Sequence, residues 1–157
     1  MRSAGRAGRS KASGLRLARR RAARVLVPAG LAVLAVAGCA GPGPDDARDV
    51  VSALGDAVVA GDGAAACALL LPDAADALAE ESGEPCAQAV TAPDGPLADL
   101  VATGRVVVED VHVAGHQAQV VTADDTLFLA VSGDGWVVTA AGCTPREDRP
   151  YDCEVEA

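Results

Sequence analysis

Thr126–Ala141 reads TLFLAVSGDGWVVTAA, and the alternation in this stretch decides the fold. Leu127, Leu129 and Val131 fall on one side of an extended chain, the period of a half-buried strand. Ser132-Gly133-Asp134-Gly135 follows as a hairpin signal, because Gly and Asp accept the positive φ values of a tight antiparallel turn. Trp136–Ala141 (WVVTAA) then returns as a partner strand. Trp136 reads as a core anchor, since a side chain of its size buries more apolar area than any other in this chain.

The same period extends towards the N-terminus. His116–Thr122 (HQAQVVT) is a strand that reaches Thr126 through a turn at Ala123-Asp124-Asp125. Arg105–Val113 (RVVVEDVHV) is another, with Val107, Val111 and Val113 on one face, and Ala114-Gly115 turns between the two. Before Gly104 the period changes to helical. Ala47, Val50, Val51, Leu54, Ala57 and Val58 share one face of a helix capped by Asp45 or Asp46 and stopped by Gly61. Asp62 caps a second segment, Gly63–Leu71. A third runs Asp73–Glu81, with Ala74, Ala77 and Leu78 apolar and Gly83 closing it, and Cys86–Val90 makes one more turn. Residues 92–104, broken by Pro93, Gly95 and Pro96, connect helices to strands. The expectation is one α+β domain over 45–157, with N-terminal helices packed on one face of a curved antiparallel sheet of about four strands.

The core of such a domain has to be built from Ala, Val and Leu, because the chain holds one Trp, one Tyr, one Phe and one Met. Side chains of that size each remove little area from water, so covalent staples would help. Five cysteines are present. Setting Cys39 apart leaves Cys67, Cys86, Cys143 and Cys153, which allow three pairings. We favour Cys67 with Cys86, tying the second helix to the segment after the third, and Cys143 with Cys153, closing the tail onto the last strand. Zinc is the alternative use of four thiols. No CxxC pair occurs, and an exported domain keeps disulfides, so we expect staples and no metal.

The export argument comes from the first 44 residues. Nine of the 13 Lys+Arg lie before Cys39, and none of the 22 Asp+Glu does. Val25–Ala37 (VLVPAGLAVLAVA) then gives 13 residues without a charge. A bilayer span needs about 20, so 1–38 reads as a cleaved signal peptide. Arg19-Arg20-Arg21 raises the twin-arginine route, but the residues after it match that signal poorly and the general route is favoured. Within LAVLAVAGC, Val36-Ala37-Gly38-Cys39 resembles the lipobox of bacterial lipoproteins. That resemblance implies a diacylglyceryl anchor on Cys39, cleavage before it, and attachment to the outer face of the cell membrane. An ordinary secreted protein cut at an Ala-x-Ala-like site is the alternative. Residues 39–44 form a short Gly/Pro tether.

Removing the leader changes the charge picture. Residues 39–157 hold four arginines against all 22 acids, a formal charge of −18 with no lysine. Such a surface repels phosphate backbones and excludes nucleic acid as a partner.

Catalytic patterns are missing. There is no G-x-S-x-G, P-loop or H-E-x-x-H run. His112 and His116 sit in a strand and beside a turn, so their spacing does not put them on one helix face, and both should face solvent. Asp124-Asp125 lacks calcium-loop spacing and reads as a turn. Glu109 and Asp110 are candidate pocket acids on a strand expected to have one wet face. No catalytic residue, cofactor or metal is assigned.

The segments GDGAAACALLLPD, SGEPC and DGWVVTAAGCTP…YDC resemble small actinobacterial lipoproteins over roughly residues 47–153, and the helix-then-sheet order looks like the cystatin-like or nuclear-transport-factor-like cone. The resemblance carries no site residue. Together these readings predict a monomeric, non-catalytic, lipid-anchored binding module of the cell envelope whose partner is an envelope protein. A carrier of a small apolar ligand in the mouth of the cone is the alternative. A ketosteroid-isomerase-like enzyme comes third, since the only tyrosine, Tyr151, lies in the tail.

Overall fold

A computed structural model describes residues 41–147 and 150–157. Residues 1–38, expected to be a signal peptide and including Val36, Ala37 and Gly38, lie outside the described residues, as does Cys39.

Helix α1 spans Pro44–Ala60. Its N-cap is Gly43 and not Asp45 or Asp46, because Pro44 occupies the first helical position, where its fixed φ suits the helix and its missing N–H is no loss. Asp46 instead reaches back from the third position, its carboxylate accepting the Gly43 N–H at 2.6 Å. Ala47, Val51, Leu54 and Ala57 form the buried face, and Gly61 ends the helix at φ 70°. Helix α2 spans Gly63–Ala68, with the Asp62 carboxylate accepting the Ala65 N–H at 3.0 Å. It stops three residues short of the expected Leu71. The reason is β-type bonding: Leu71 N–H donates to the Val138 carbonyl at 2.7 Å, and Val138 N–H to the Leu69 carbonyl at 2.9 Å. Helix α3 (Pro72–Ser82) and the single turn α4 (Cys86–Ala89) follow, then a 3₁₀ turn over Asp99–Val101.

The sheet has five strands where about four were expected. They are β1 Val108–Ala114, β2 Gln117–Thr122, β3 Thr126–Ser132, β4 Gly135–Pro145 and β5 Tyr151–Glu156, paired antiparallel in sequence order. The added strand is the tail. Tyr151, Cys153 and Val155 alternate with Asp152, Glu154 and Glu156, and pairing on β4 sets Cys153 opposite Cys143 and Val155 opposite Ala141. That pairing also carries β4 past its expected end at Ala141. Strand β1 begins three residues later than expected and is exposed along most of its length, with Val113 at 40% and Val107, just before it, at 42%. It is an edge strand with an irregular step between Val108 and Asp110, and the Asp110 carboxylate takes the Val111 N–H at 2.8 Å.

One apolar core joins the layers. Val51 and Leu54 of α1, Leu70, Leu97 and Leu100 pack with Val120, Leu127, Leu129, Trp136, Val138 and Val155 of the sheet. Two disulfides staple it: Cys67 to Cys86, between α2 and α4, and Cys143 to Cys153, between β4 and β5.

Candidate functional site

The strand that positions everything of interest is β4. Its first turn of side chain is Trp136, 4% exposed, whose indole N–H donates to the Gly43 carbonyl at 3.0 Å. The core-anchor reading of Trp136 therefore extends to a second role, holding the start of α1. Gly41 and Pro42 line a small depression with Trp136, Asp46, Asp49 and Asp134.

At the far end of β4 the backbone is held by a carboxylate. Asp125 Oδ1 accepts N–H groups from Thr126 at 2.6 Å and Cys143 at 2.8 Å, while Oδ2 accepts from Gly142 at 2.9 Å. The turn is locked from within by Thr122, whose hydroxyl donates to the Asp125 carbonyl and accepts the Asp125 N–H, both at 2.9 Å. Gly142 has φ 65°, and a Cβ there would come within 2.9 Å of the Pro96 carbonyl, so only glycine fits the clasp. Burial pushes the Asp125 carboxyl above its ordinary value of 3.8, against the downward pull of the three N–H donors, with the charge of Asp99 adding a small upward push. Asp94, Asp99, Asp124 and Glu154 line the same depression, of about 360 Å³. Among the described residues no group of three or more His, Cys, Asp or Glu could hold a metal ion. Both Asp125 oxygens accept backbone amides, which ties the β2–β3 turn to β4.

Over β2, β3 and β5 lies a trough of about 550 Å³. Phe128 and Tyr151 meet in it edge to face, ring centroids 5.0 Å apart at 69°. Gln119 Nε2 donates to the Tyr151 hydroxyl at 2.8 Å. A bulge widens the strand here: Phe128 opposes Ala140 and Leu129 opposes Val138, leaving Thr139 as the extra residue, with its hydroxyl donating to the Phe128 carbonyl at 3.1 Å. His112 and Glu156 stand at the rim. The only Phe and the only Tyr of the chain are thus spent on this open face and not on the core.

The sequence candidates fall out as follows. Glu109 and Asp110 are exposed, and neither lines the trough or the Asp125 pocket. The acid that lines a depression and is largely buried is instead Asp125, in the β2–β3 turn. His112 and His116 are exposed, and His112 Nε2 lies 3.1 Å from Asp110. Tyr151 is no loose tail residue but a wall of the trough. It lies apart from the Asp125 depression, so the buried carboxyl and the tyrosine that an isomerase-like site needs line different surfaces. Among the described residues no helix is long and apolar enough to cross a membrane. No protein-family profile, curated protein or solved structure matches the chain.

Proposed function

We propose that this protein is a non-catalytic binding module of the bacterial cell envelope, exported by residues 1–38 and held at the outer face of the cell membrane by a diacylglyceryl group on Cys39. The observation that carries the binding part is the trough, where Phe128 and Tyr151 meet over the amide of Gln119 and the hydroxyl of Thr139. Aromatic side chains with polar tips supply recognition surface at low entropic cost, and a chain so poor in them has two in one open place. The anchoring part rests on the Val36–Cys39 motif behind a charge-free run. The fold in this reading is a cone-like sheet with its helices on one face, and the trough lies on the other. The partner is an envelope protein of neutral or cationic surface, since −18 on the mature chain disfavours acidic ones.

Two measurements test it. Intact mass of membrane-extracted protein should show a chain beginning at Cys39 with lipid attached; a secreted species with unmodified Cys39, or retention of residues 1–38, refutes the anchor. Mild crosslinking on native membranes should yield a partner that co-purifies with wild type and is lost with Phe128→Ala. Equal recovery with both would move the interaction elsewhere on the domain.

The volume of the trough supports a second reading. About 550 Å³ lies within the roughly 300–1,000 Å³ typical of small-molecule sites, so a small apolar ligand with a polar rim fits it. Native mass spectrometry of gently extracted protein, showing a small bound mass lost with Phe128→Ala, would select this reading over the protein partner.

A further inference from the structure

We infer that the domain meets the bilayer with one defined pole, formed by the β3–β4 hairpin and the start of α1. This rests on the lipid anchor at Cys39. A Gly/Pro tether of residues 39–44 would ordinarily let a domain tumble over the membrane. Here the inner end of the tether is fixed. Trp136 donates to the Gly43 carbonyl at 3.0 Å, and Gly41 and Pro42 line one depression with Trp136. Only Ala40 then separates Gly41 from Cys39, two residue steps with a reach of about 7 Å at full extension. An anchored Cys39 sits at headgroup level, so the hairpin at Gly133-Asp134 and the first turn of α1 face the lipid.

The charge of this pole sets how it faces. Asp45, Asp46, Asp49 and Asp134 gather there, with Arg48 paired to Asp45 at 3.0 Å. Anionic headgroups repel them within a screening length of about 8 Å. The fitting partner surface is therefore zwitterionic or amine-bearing lipid, met at short distance without insertion. The Asp125 clasp and residues 144–147, at the other end of β4, point away from the membrane. Eight residue steps along the strand lead from Trp136 to Thr144, roughly 26 Å. The trough runs along the sheet, with Ala114 and Gln117 level with Val137 at one end and Tyr151 opposite Pro145 at the other.

The chain's only Trp reports on this directly. The full lipidated protein would be reconstituted in phosphatidylcholine vesicles carrying a nitroxide on a fraction of the headgroups. We expect loss of Trp136 emission relative to unlabelled vesicles. The double variant Trp136→Phe, Thr144→Trp, with its reporter at the far pole, should keep its emission. Unchanged Trp136 emission in protein whose intact mass includes the lipid overturns the orientation and leaves the anchor standing. Quenching as strong at Thr144→Trp as at Trp136 also overturns it, since the domain would then tumble. A mass without lipid overturns the anchor and the orientation together. Should the double variant fail to fold, the single variant Thr144→Trp replaces it: a fixed pole quenches a smaller fraction of its two-Trp emission than of wild type, and an equal fraction overturns the orientation.

Discussion

The two ends of β4 are both fastened across the molecule, and they are fastened by different chemistry. At one end a neutral indole N–H of Trp136 meets a neutral carbonyl, Gly43. At the other a carboxylate, Asp125, gathers the amides of Gly142 and Cys143. The indole also fills the core, so its contribution is mostly area removed from water and is indifferent to pH. The carboxylate fills little. Its contribution is electrostatic, set against the cost of burying a charge, and that cost is why its proton affinity rises on folding. One strand thus has one end that titrates and one that does not.

Breaking the neutral end should have the largest effect. Trp136→Ala removes the largest side chain of a core otherwise built from Ala, Val and Leu, and we expect a loss of about 3–5 kcal/mol in denaturant unfolding. Trp136→Phe keeps most of the volume and gives up the bond to Gly43, which should cost roughly 1–2 kcal/mol. If the two variants cost the same, the hydrogen bond and not the burial holds this end.

Breaking the charged end comes next. Asp125→Ala leaves three backbone N–H groups without their acceptor, among them that of buried Cys143. The expected loss is about 2–4 kcal/mol. A loss below about 1 kcal/mol would mean water takes over the acceptor role, and that the pocket is wetter than its shape suggests.

The titration sharpens the comparison. Because the folded pKa of Asp125 lies above the ordinary 3.8, the folded protein binds this proton more tightly than the unfolded chain. The resulting stability is fully present below the unfolded pKa and is lost as pH rises through the folded one. Asp125→Asn has no such proton. The stability gap between wild type and Asp125→Asn should therefore widen as pH falls from neutral through the window just above 3.8. Trp136→Phe should show a gap with no change in that window. A gap that narrows for Asp125→Asn would mean the three N–H donors outweigh burial.

These predictions also mark where sequence reading succeeds. Local patterns carried the strands around Leu127 and Leu129, the hairpin at Gly133-Asp134, and the stops at Gly61 and Gly83, because each depends on neighbours in sequence. The cap of α1 was misassigned by two or three residues, since Asp45 and Asp46 both look like caps until Pro44 takes the first position. The Asp125 clasp joins residues 17 and 18 positions apart, and no local rule announces it. Strand β5 is different, for its signal was present. Tyr151, Cys153 and Val155 alternate with acids in YDCEVE, the period of a strand. Seeing Cys153 as a pairing partner for Cys143 was enough to close the tail on β4, one step short of calling it a strand. The trough was out of reach, because Phe128 and Tyr151 meet only once β5 has formed.

The smallest stability effect belongs to the middle of the sheet, between the two fastened ends. Tyr151→Phe keeps the ring that meets Phe128 at 5.0 Å and removes only the acceptor of the Gln119 bond. Both residues are half-buried at an open trough, so water can replace the hydroxyl for Gln119. The net loss should stay below about 1 kcal/mol. Phe128→Ala should cost more, since an aromatic pair adds about 0.5–1.5 kcal/mol beyond the area it buries. Neither should approach Trp136→Ala, because neither side chain belongs to the core. Recognition should respond in the opposite order to stability: Tyr151→Phe removes the polar tip a ligand would read, while Trp136→Phe leaves the trough intact. A double-mutant cycle between Gln119→Ala and Tyr151→Phe, read by thermal unfolding, isolates their coupling. A coupling as large as the cost of Asp125→Ala would show that the trough residues support the fold, and would remove the reason to read the trough as a binding surface.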